Sequence, residues 1–448
     1  MLPILASLLF TACSDSGAPV AESPSNVAAS TVTAPGGSST TSPGSPTAST
    51  VSTSSAKPTR PIDPASAELA KKLAASSNAF GFDLWKKVAS ADGNVAVSPA
   101  SLSIALSMTY AGAGGDTASQ MAHVLHLNGS QDETQKGAAG LNAALSGSKQ
   151  VTFEIANRLF AEKSYAFEDA FLASTKQAYG AGLEPVDFKG DAEGARKQIN
   201  DFVSSETEKR ITNLIPPHAL TSDTRLVLTN AIYLSGDWQS PFDKSATFDA
   251  DFTTKGKDVA RIPTMHQSAT FGLAATDGAH VVSMPYAGGG MSMLLVVPDA
   301  VDGLAAIEAS LDQSKLDSWT RALKSTEVSL SLPKFVIDPA DSMEMSDTLV
   351  QLGMADAFGM KADFKKIANP PAAAAQLELG HVFHKAFVKV DEKGTEAAAA
   401  SAVEAMEKGA APAPGVAVKA DHPFLFMLRD DATGMVVFMG RVSDPRAH

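Results

Sequence analysis

A single cysteine, Cys13, occurs in 448 residues, which excludes an intramolecular disulfide. Basic residues are outnumbered, 36 Lys and Arg against 49 Asp and Glu, for a formal net charge of −13. The lysine pairs Lys71-Lys72, Lys86-Lys87 and Lys365-Lys366 never grow into a basic run, which argues against nucleic acid and heparin-like polyanions as partners. Gly-x-Ser-x-Gly and His-Glu-x-x-His are absent. Ser146-Gly147-Ser148-Lys149 and Ser54-Ser55-Ala56-Lys57 match Ser-x-x-Lys, but neither has the later partners of penicillin-recognising enzymes, and both read as chance. His123 and His126 are spaced to share one helix face, a candidate metal pair without a third ligand. His381 and His384 fall in a predicted strand, where a spacing of three points them to opposite faces. The expectation is no enzyme, no metal and no cofactor. No repeat with a period of a few tens of residues occurs.

What is present divides the chain unevenly. Residues 1–12 are mostly apolar and end Leu9-Phe10-Thr11-Ala12 before Cys13. This resembles a bacterial lipoprotein signal, with cleavage before Cys13 and acylation of its thiol and amine. A plain secretory signal with an incidental cysteine is the alternative. The apolar run is too short to span a bilayer, so membrane contact is expected only through a lipid on Cys13. Residues 13–64 are Ser, Thr, Pro, Ala and Gly with almost no large apolar or aromatic residue, too little to offset ordering entropy, and read as a disordered tether. The expected location is outside the cytoplasm, as an envelope or surface lipoprotein or a secreted protein.

Residues 65–448 carry helix and strand patterns with no second linker and form one expected domain. Leu69, Leu73, Phe80, Leu84 and Val88 recur at helical spacing, Ser98-Pro99 is a helix start, and a further helix fits residues 192–210. Strand patterns dominate later, at 226–234, 291–297, 328–332, 383–390, 422–429 and 435–442. Early helices and late strands predict an α+β fold around a largely antiparallel sheet.

Several stretches then become specific. Asn94-Val95-Ala96-Val97-Ser98-Pro99-Ala100-Ser101, Leu228 through Gly236-Asp237-Trp238-Gln239-Ser240-Pro241-Phe242, and Met284-Pro285-Tyr286 before a strand at 291–298 stand in order. His422-Pro423-Phe424-Leu425-Phe426 and Phe438-Met439-Gly440-Arg441-Val442 follow. Together with Glu392-Lys393-Gly394-Thr395-Glu396-Ala397-Ala398-Ala399-Ala400-Ser401, they resemble the serpin family from about residue 75 to 445. The resemblance implies three sheets, eight or nine helices and an exposed reactive-centre loop at about 392–418. Insertion of that loop into the central sheet is an established property of the family. The implied activity is suicide inhibition of a serine protease as a monomer, through a covalent acyl complex.

The loop suits insertion on physical grounds. A central strand excludes proline, and none occurs from Gly394 to Gly409, while Pro412 and Pro414 follow. Thr395, Ala397, Ala399, Ser401, Val403 and Ala405 share one parity and are small or uncharged. Glu396 and Glu404 take the other, where they can face solvent. Propensity alone would make this Ala- and Glu-rich segment a marginal helix or flexible linker. By family spacing the scissile bond is Lys408-Gly409, sixteen residues beyond Glu392, which implies a trypsin-like target. Cleavage after Met406 would imply a chymotrypsin-like target, and after Ala410 or Ala411 an elastase-like one. A cysteine-protease target stays open, as does a non-inhibitory binding or carrier role. The resemblance also implies a sheet-opening cluster of Ser98, Ser101, Asn230 and His384. It implies further contacts at the top of the sheet from Trp238 and from a Lys334–Glu392 ion pair.

Overall fold

Ser98 has an extended backbone, its Oγ accepts the Ser101 N–H at 3.2 Å, and Pro99 occupies the first turn, so α2 (Pro99–Tyr110) begins where the sequence places it. Every residue of α2 is buried, which makes it a core helix without a polar face. Before it lie α1 (Pro64–Val88) and β1 (Val95–Val97). Of the apolar positions read in α1, Leu73, Phe80 and Leu84 are buried and Leu69 and Val88 half-buried. The computed structural model describes residues 64–90, 93–146, 151–180, 182–255, 258–276, 278–370, 376–395 and 415–447. Cys13, the tether, Glu396 through Ala400, Lys408 and Gly409 lie outside the described residues.

The chain continues through α3 (Gly115–Val124), α4 (Gln131–Ser146), β2 (Val151–Glu162), α5 (Asp169–Tyr179), β3 (Leu183–Val186), α6 (Phe188–Glu206) and β4 (Leu226–Asp237). Strands β5 (Thr247–Thr253), β6 (Val259–Thr276), β7 (Ala279–Pro285) and β8 (Met291–Pro298) precede α7 (Leu304–Ala309) and α8 (Gln313–Ala322). Then come β9 (Lys324–Pro333), β10 (Phe335–Ile337), β11 (Met343–Glu344) and α9 (Ser346–Leu352). The last strands are β12 (His381–Val390), β13 (Gly394–Thr395), β14 (Val416–Lys419), β15 (Phe424–Asp430) and β16 (Val436–Val442). Nine α-helices thus stand among the described residues.

Two readings shift. The helix expected at 192–210 does start after Asp191, a non-helical residue (φ −151°, ψ 73°) whose carboxylate caps the Gly194 N–H at 2.8 Å and which separates it from a first turn at Phe188, but it stops at Glu206 because Glu208 and Lys209 take positive φ. His123 and His126 do not share a helix face: α3 ends at Val124, His126 has φ of 54°, and its Nε2 pairs with Asp83 at 2.8 Å.

The three expected sheets form two hydrogen-bonded networks, one of nine strands in the order β1-β16-β15-β8-β7-β6-β9-β14 with β5 on β6. The fusion is the work of β6, which is long enough to pair β5 over residues 259–265, β9 over residues 264–273 and β7 over its last five residues. The second network runs β10-β12-β13-β4-β2-β3. Most pairings are antiparallel, with β12–β4, β14–β9 and β2–β3 the parallel exceptions. Leu228, Ile232 and Leu234 of β4 face the interior, while Val227, Ala231 and Tyr233 face outward beneath Phe188, Ile199 and Val203 of α6.

Close packing tolerates no added atom at the middle of β16. A Cβ on Gly440 would lie 2.4 Å from the Phe426 ring and 2.8 Å from the Val95 carbonyl. Gly440→Ala should therefore destabilise by about 1–3 kcal/mol. Thermal unfolding checks this, and an unchanged Tm would contradict it.

Candidate functional site: the hinge and the central seam

Strands β4 and β12 run side by side and parallel, paired from His381↔Val227 to Phe387↔Tyr233. Beyond that they separate, and Gly394 and Thr395 occupy the gap, antiparallel to both neighbours. Thr395 pairs with Val390 on one side and Gly236 on the other. Gly394 admits no side chain there, because a Cβ would lie 1.9 Å from the Gly236 carbonyl oxygen. The chain reverses from β12 into β13 through a turn in which the Asp391 N–H donates to Gly394 O at 3.0 Å. In the same turn the Asp391 carboxylate accepts the Lys393 N–H at 2.9 Å.

The residues after β4 clamp this turn. Trp238 donates its backbone N–H to Lys393 O at 2.7 Å and its indole N–H to Asp391 O at 3.1 Å, and the Phe242 N–H reaches Glu392 O at 2.8 Å. Glu392 is only 5% exposed, yet its carboxylate receives Lys334 Nζ at 2.9 and 3.0 Å and the Thr247 hydroxyl at 3.0 Å. Burial pushes this carboxyl up, and those donors with a backbone N–H outweigh burial and hold it below the usual carboxylate range. Thr395 is fully buried, with its hydroxyl 2.6 Å from that of Tyr286. The Tyr286 ring stacks on Trp238 at 4.6 Å.

Lower in the same seam lies a buried polar cluster. His384 of β12 is directly opposite Asn230 of β4. Nε2 of His384 accepts the Ser98 N–H at 3.1 Å, so its proton resides on Nδ1, which donates to Asn230 Oδ1. The Asn230 amide donates to Ser101 Oγ and to Asn157 Oδ1, each at 2.7 Å. Ser98 Oγ donates to Val437 O at 2.6 Å. Complete burial drives the His384 pKa down to about 3, so the ring is neutral and the cluster carries no charge.

The structure brings Glu392, Gly394, Thr395, Lys334 and Trp238 together at the top of the seam. Ser98, Ser101, Asn230 and His384 meet below. Sequence reasoning missed Asn157, which is opposite Asn230 across β2–β4 and becomes visible only with that register. It quoted Tyr286 as a strand landmark without a role and did not single out Thr247. No cluster of three or more metal-ligating side chains occurs among the described residues.

The central sheet is thus parted at one end by two residues of the same chain and closed below by one uncharged cluster. The family profile described as Serpin (serine protease inhibitor) matches residues 75–445, and the chain belongs to the serpin family. It is 38% identical over 387 residues to the leukocyte elastase inhibitor of Sus scrofa, covering 84% of this chain and 100% of that protein. The crystal structure of Serpin48, a highly specific serpin of the insect Tenebrio molitor, superposes with a TM-score of 0.74 at 29% identity, covering 83% of this chain and 98% of that one. Human thyroxine-binding globulin complexed with its hormone superposes with a TM-score of 0.74 at 27% identity, covering 84% and 99%. The protein is thus a protease inhibitor of the serpin class and not an enzyme.

The neutral His384 makes the seam sensitive to acid. An unfolded histidine gains its proton near pH 6.5 and the buried ring only near 3, so stability is lost as pH falls through that window, by about 1.4 kcal/mol per unit. Tm measured from pH 7 to 5 should fall more steeply in the parent than in His384→Asn. Equal slopes would remove His384 from this role.

Proposed function

We propose that this serpin traps a trypsin-like serine endopeptidase that cleaves Lys408-Gly409. The Lys408 assignment rests on the family spacing from Glu392, and the observation that carries the trapping is the register of Gly394 and Thr395. Continued along β4, it sets Ala397 beside Leu234, Ala399 beside Ile232, Ser401 beside Asn230 and Val403 beside Leu228. Continued along β12 from Thr395↔Val390, it brings Ser401 beside His384 as well. These residues share the parity of the buried Thr395 and meet interior positions, where small or uncharged side chains are required.

The opposite parity does not meet open water. Ala398 would fall beside Tyr233 and Ala400 beside Ala231, both in the buried outer-face cluster that also holds Ile211, Leu214 and Ile215, where a small side chain fits. Glu404 would fall beside Val227, a member of the same buried outer-face cluster.

In this mechanism the protease serine attacks the Lys408 carbonyl carbon, the amine of Gly409 leaves, and an acyl-enzyme forms. Each inserted residue then adds ladder hydrogen bonds worth about 1 kcal/mol apiece. The acylated protease is carried along before water releases it. The inhibitor contributes no catalytic group and no cofactor. A hinge that has Thr395 and four alanines, and no proline, favours an inhibitor over a carrier. The relative named an elastase inhibitor keeps cleavage after Ala410 or Ala411 as the second reading, with Met406 for a chymotrypsin-like enzyme.

Incubation with trypsin should yield a band stable to denaturing electrophoresis near the sum of the two masses. Thr395→Arg, which forces a charge into the buried seam, should give cleaved inhibitor instead. Simple cleavage of the parent would sink the Lys408 assignment, and an unaffected Thr395→Arg variant would contradict insertion.

The proposal extends to location: residues 1–12 direct export, Cys13 carries lipid, and residues 13–64 hold the inhibitor off the membrane. Full-length protein expressed in a lipoprotein-processing bacterium should partition with membranes, and Cys13→Ser should become soluble. Membrane partition of Cys13→Ser equal to the parent would refute the anchor.

A further inference from the structure

We propose that Tyr286 is a positioning residue for strand insertion, its hydroxyl gripping Thr395 so that the first residues of the incoming strand are already in register before any cleavage. The inference rests on the insertion reading above and adds the group that sets its starting state.

Tyr286 follows β7 in the nine-stranded network, whereas Thr395 lies in the other one, so the bond ties the hinge to a part of the molecule outside the seam. The phenol is held from three sides. Its backbone N–H donates to Met291 O at 3.0 Å, its backbone bridges Trp238, and its ring stacks on the Trp238 indole. Gly236 completes the approach, because a Cβ there would lie 3.1 Å from the Tyr286 ring. Both hydroxyls are buried, and Thr395 is the only hydrogen-bond partner of the Tyr286 hydroxyl among the described residues. Withdrawal of the hinge takes that partner away.

The contact therefore exists in the threaded state and not in the withdrawn one, the differential interaction that shifts such an equilibrium. A neutral buried hydrogen bond of ordinary net strength alters the threaded-to-withdrawn ratio by about 2- to 12-fold. Threading has two kinetic consequences. Strand growth starts from a formed pair, so insertion gains on release of the acyl-enzyme by water. The same pair shortens the loop that a protease has to engage.

The test uses the full chain with Tyr286→Phe, which keeps the stacked ring, with Thr395→Val, which keeps shape and burial, and with both together. Hydrogen exchange of the peptide spanning Gly394 and Thr395 is read by mass spectrometry without protease. Each single variant should speed exchange there by about 2- to 12-fold, the double variant should be no faster than either, and the peptide containing Asn230 should not change. Unchanged hinge exchange in Tyr286→Phe, additive effects in the double variant, or faster exchange throughout the molecule would overturn the proposal. With trypsin at equal concentration, Tyr286→Phe should release a larger cleaved fraction for each trapped protease than the parent. Coupled exchange in a parent chain that traps no trypsin would uphold the grip on the hinge and refute the trypsin assignment alone.

Discussion

The parallel pairing of β4 with β12 is the contact on which everything else in this molecule turns. It closes the middle of a seven-stranded network, and parallel pairing is slightly weaker per residue than antiparallel. Its two strands come from distant parts of the sequence, so nothing local forces them together. What holds them is side-chain chemistry across the seam: the His384–Asn230 bond, the interior packing of Leu228, Ile232 and Leu234, and the Tyr233–Phe387 edge contact at 6.1 Å beneath the Arg210 guanidinium. None of these is a charge pair. A seam closed by neutral groups can part without stranding an ion in the interior, a cost that would otherwise reach several kcal/mol.

Charge is confined to the top, where the chain turns. Lys334 is partly exposed and Glu392 buried, an asymmetry that makes the carboxylate the dependent partner. Such a pair adds little net stability against an apolar alternative, but loss of the lysine would leave a buried carboxylate uncompensated. The pair is better understood as fixing where the turn sits. Trp238 and Phe242 fix its backbone, Gly394 lets it approach Gly236, and Thr395 enters the seam in one register only. In the proposed insertion that register would decide which face every later loop residue takes, since a slip of one residue would exchange the faces.

Much of this was legible in the sequence because it is written locally. The Ser98 cap, the alternation after Thr395 and the exclusion of proline until Pro412 are short-range signals with direct physical meaning. The clusters were legible only through resemblance, since Ser98, Ser101, Asn230 and His384 are brought together by pairing that no local pattern specifies. Asn157 and Tyr286 escaped for the same reason: one needs the β2–β4 register and the other a contact between two networks. The reading of Glu404 as solvent-facing falls outside the described residues. The end of α6 escaped because Glu208 and Lys209 adopt left-handed backbone without a glycine to announce it.

The seam also has to survive being opened, and here the chemistry of one loop position matters. Separation of β4 from β12 removes the acceptor of the His384 Nδ1–H and the donor to Asn230 Oδ1 at a site fully shielded from water. Two polar groups left unpaired there would each cost about 1–3 kcal/mol and would oppose insertion midway. In the proposed insertion, the register of Gly394 and Thr395 would bring Ser401 to that level on both sides at once. A hydroxyl accepts one hydrogen bond and donates another, which matches the pair of groups the opening exposes. An alanine at 401 would satisfy the small-residue rule equally well and leave both groups unmet. In the proposed insertion, the serine that ends the run of four alanines would meet the polar cluster, so that the inserted sheet, like the closed one, would satisfy His384 and Asn230 and only the intermediate would not.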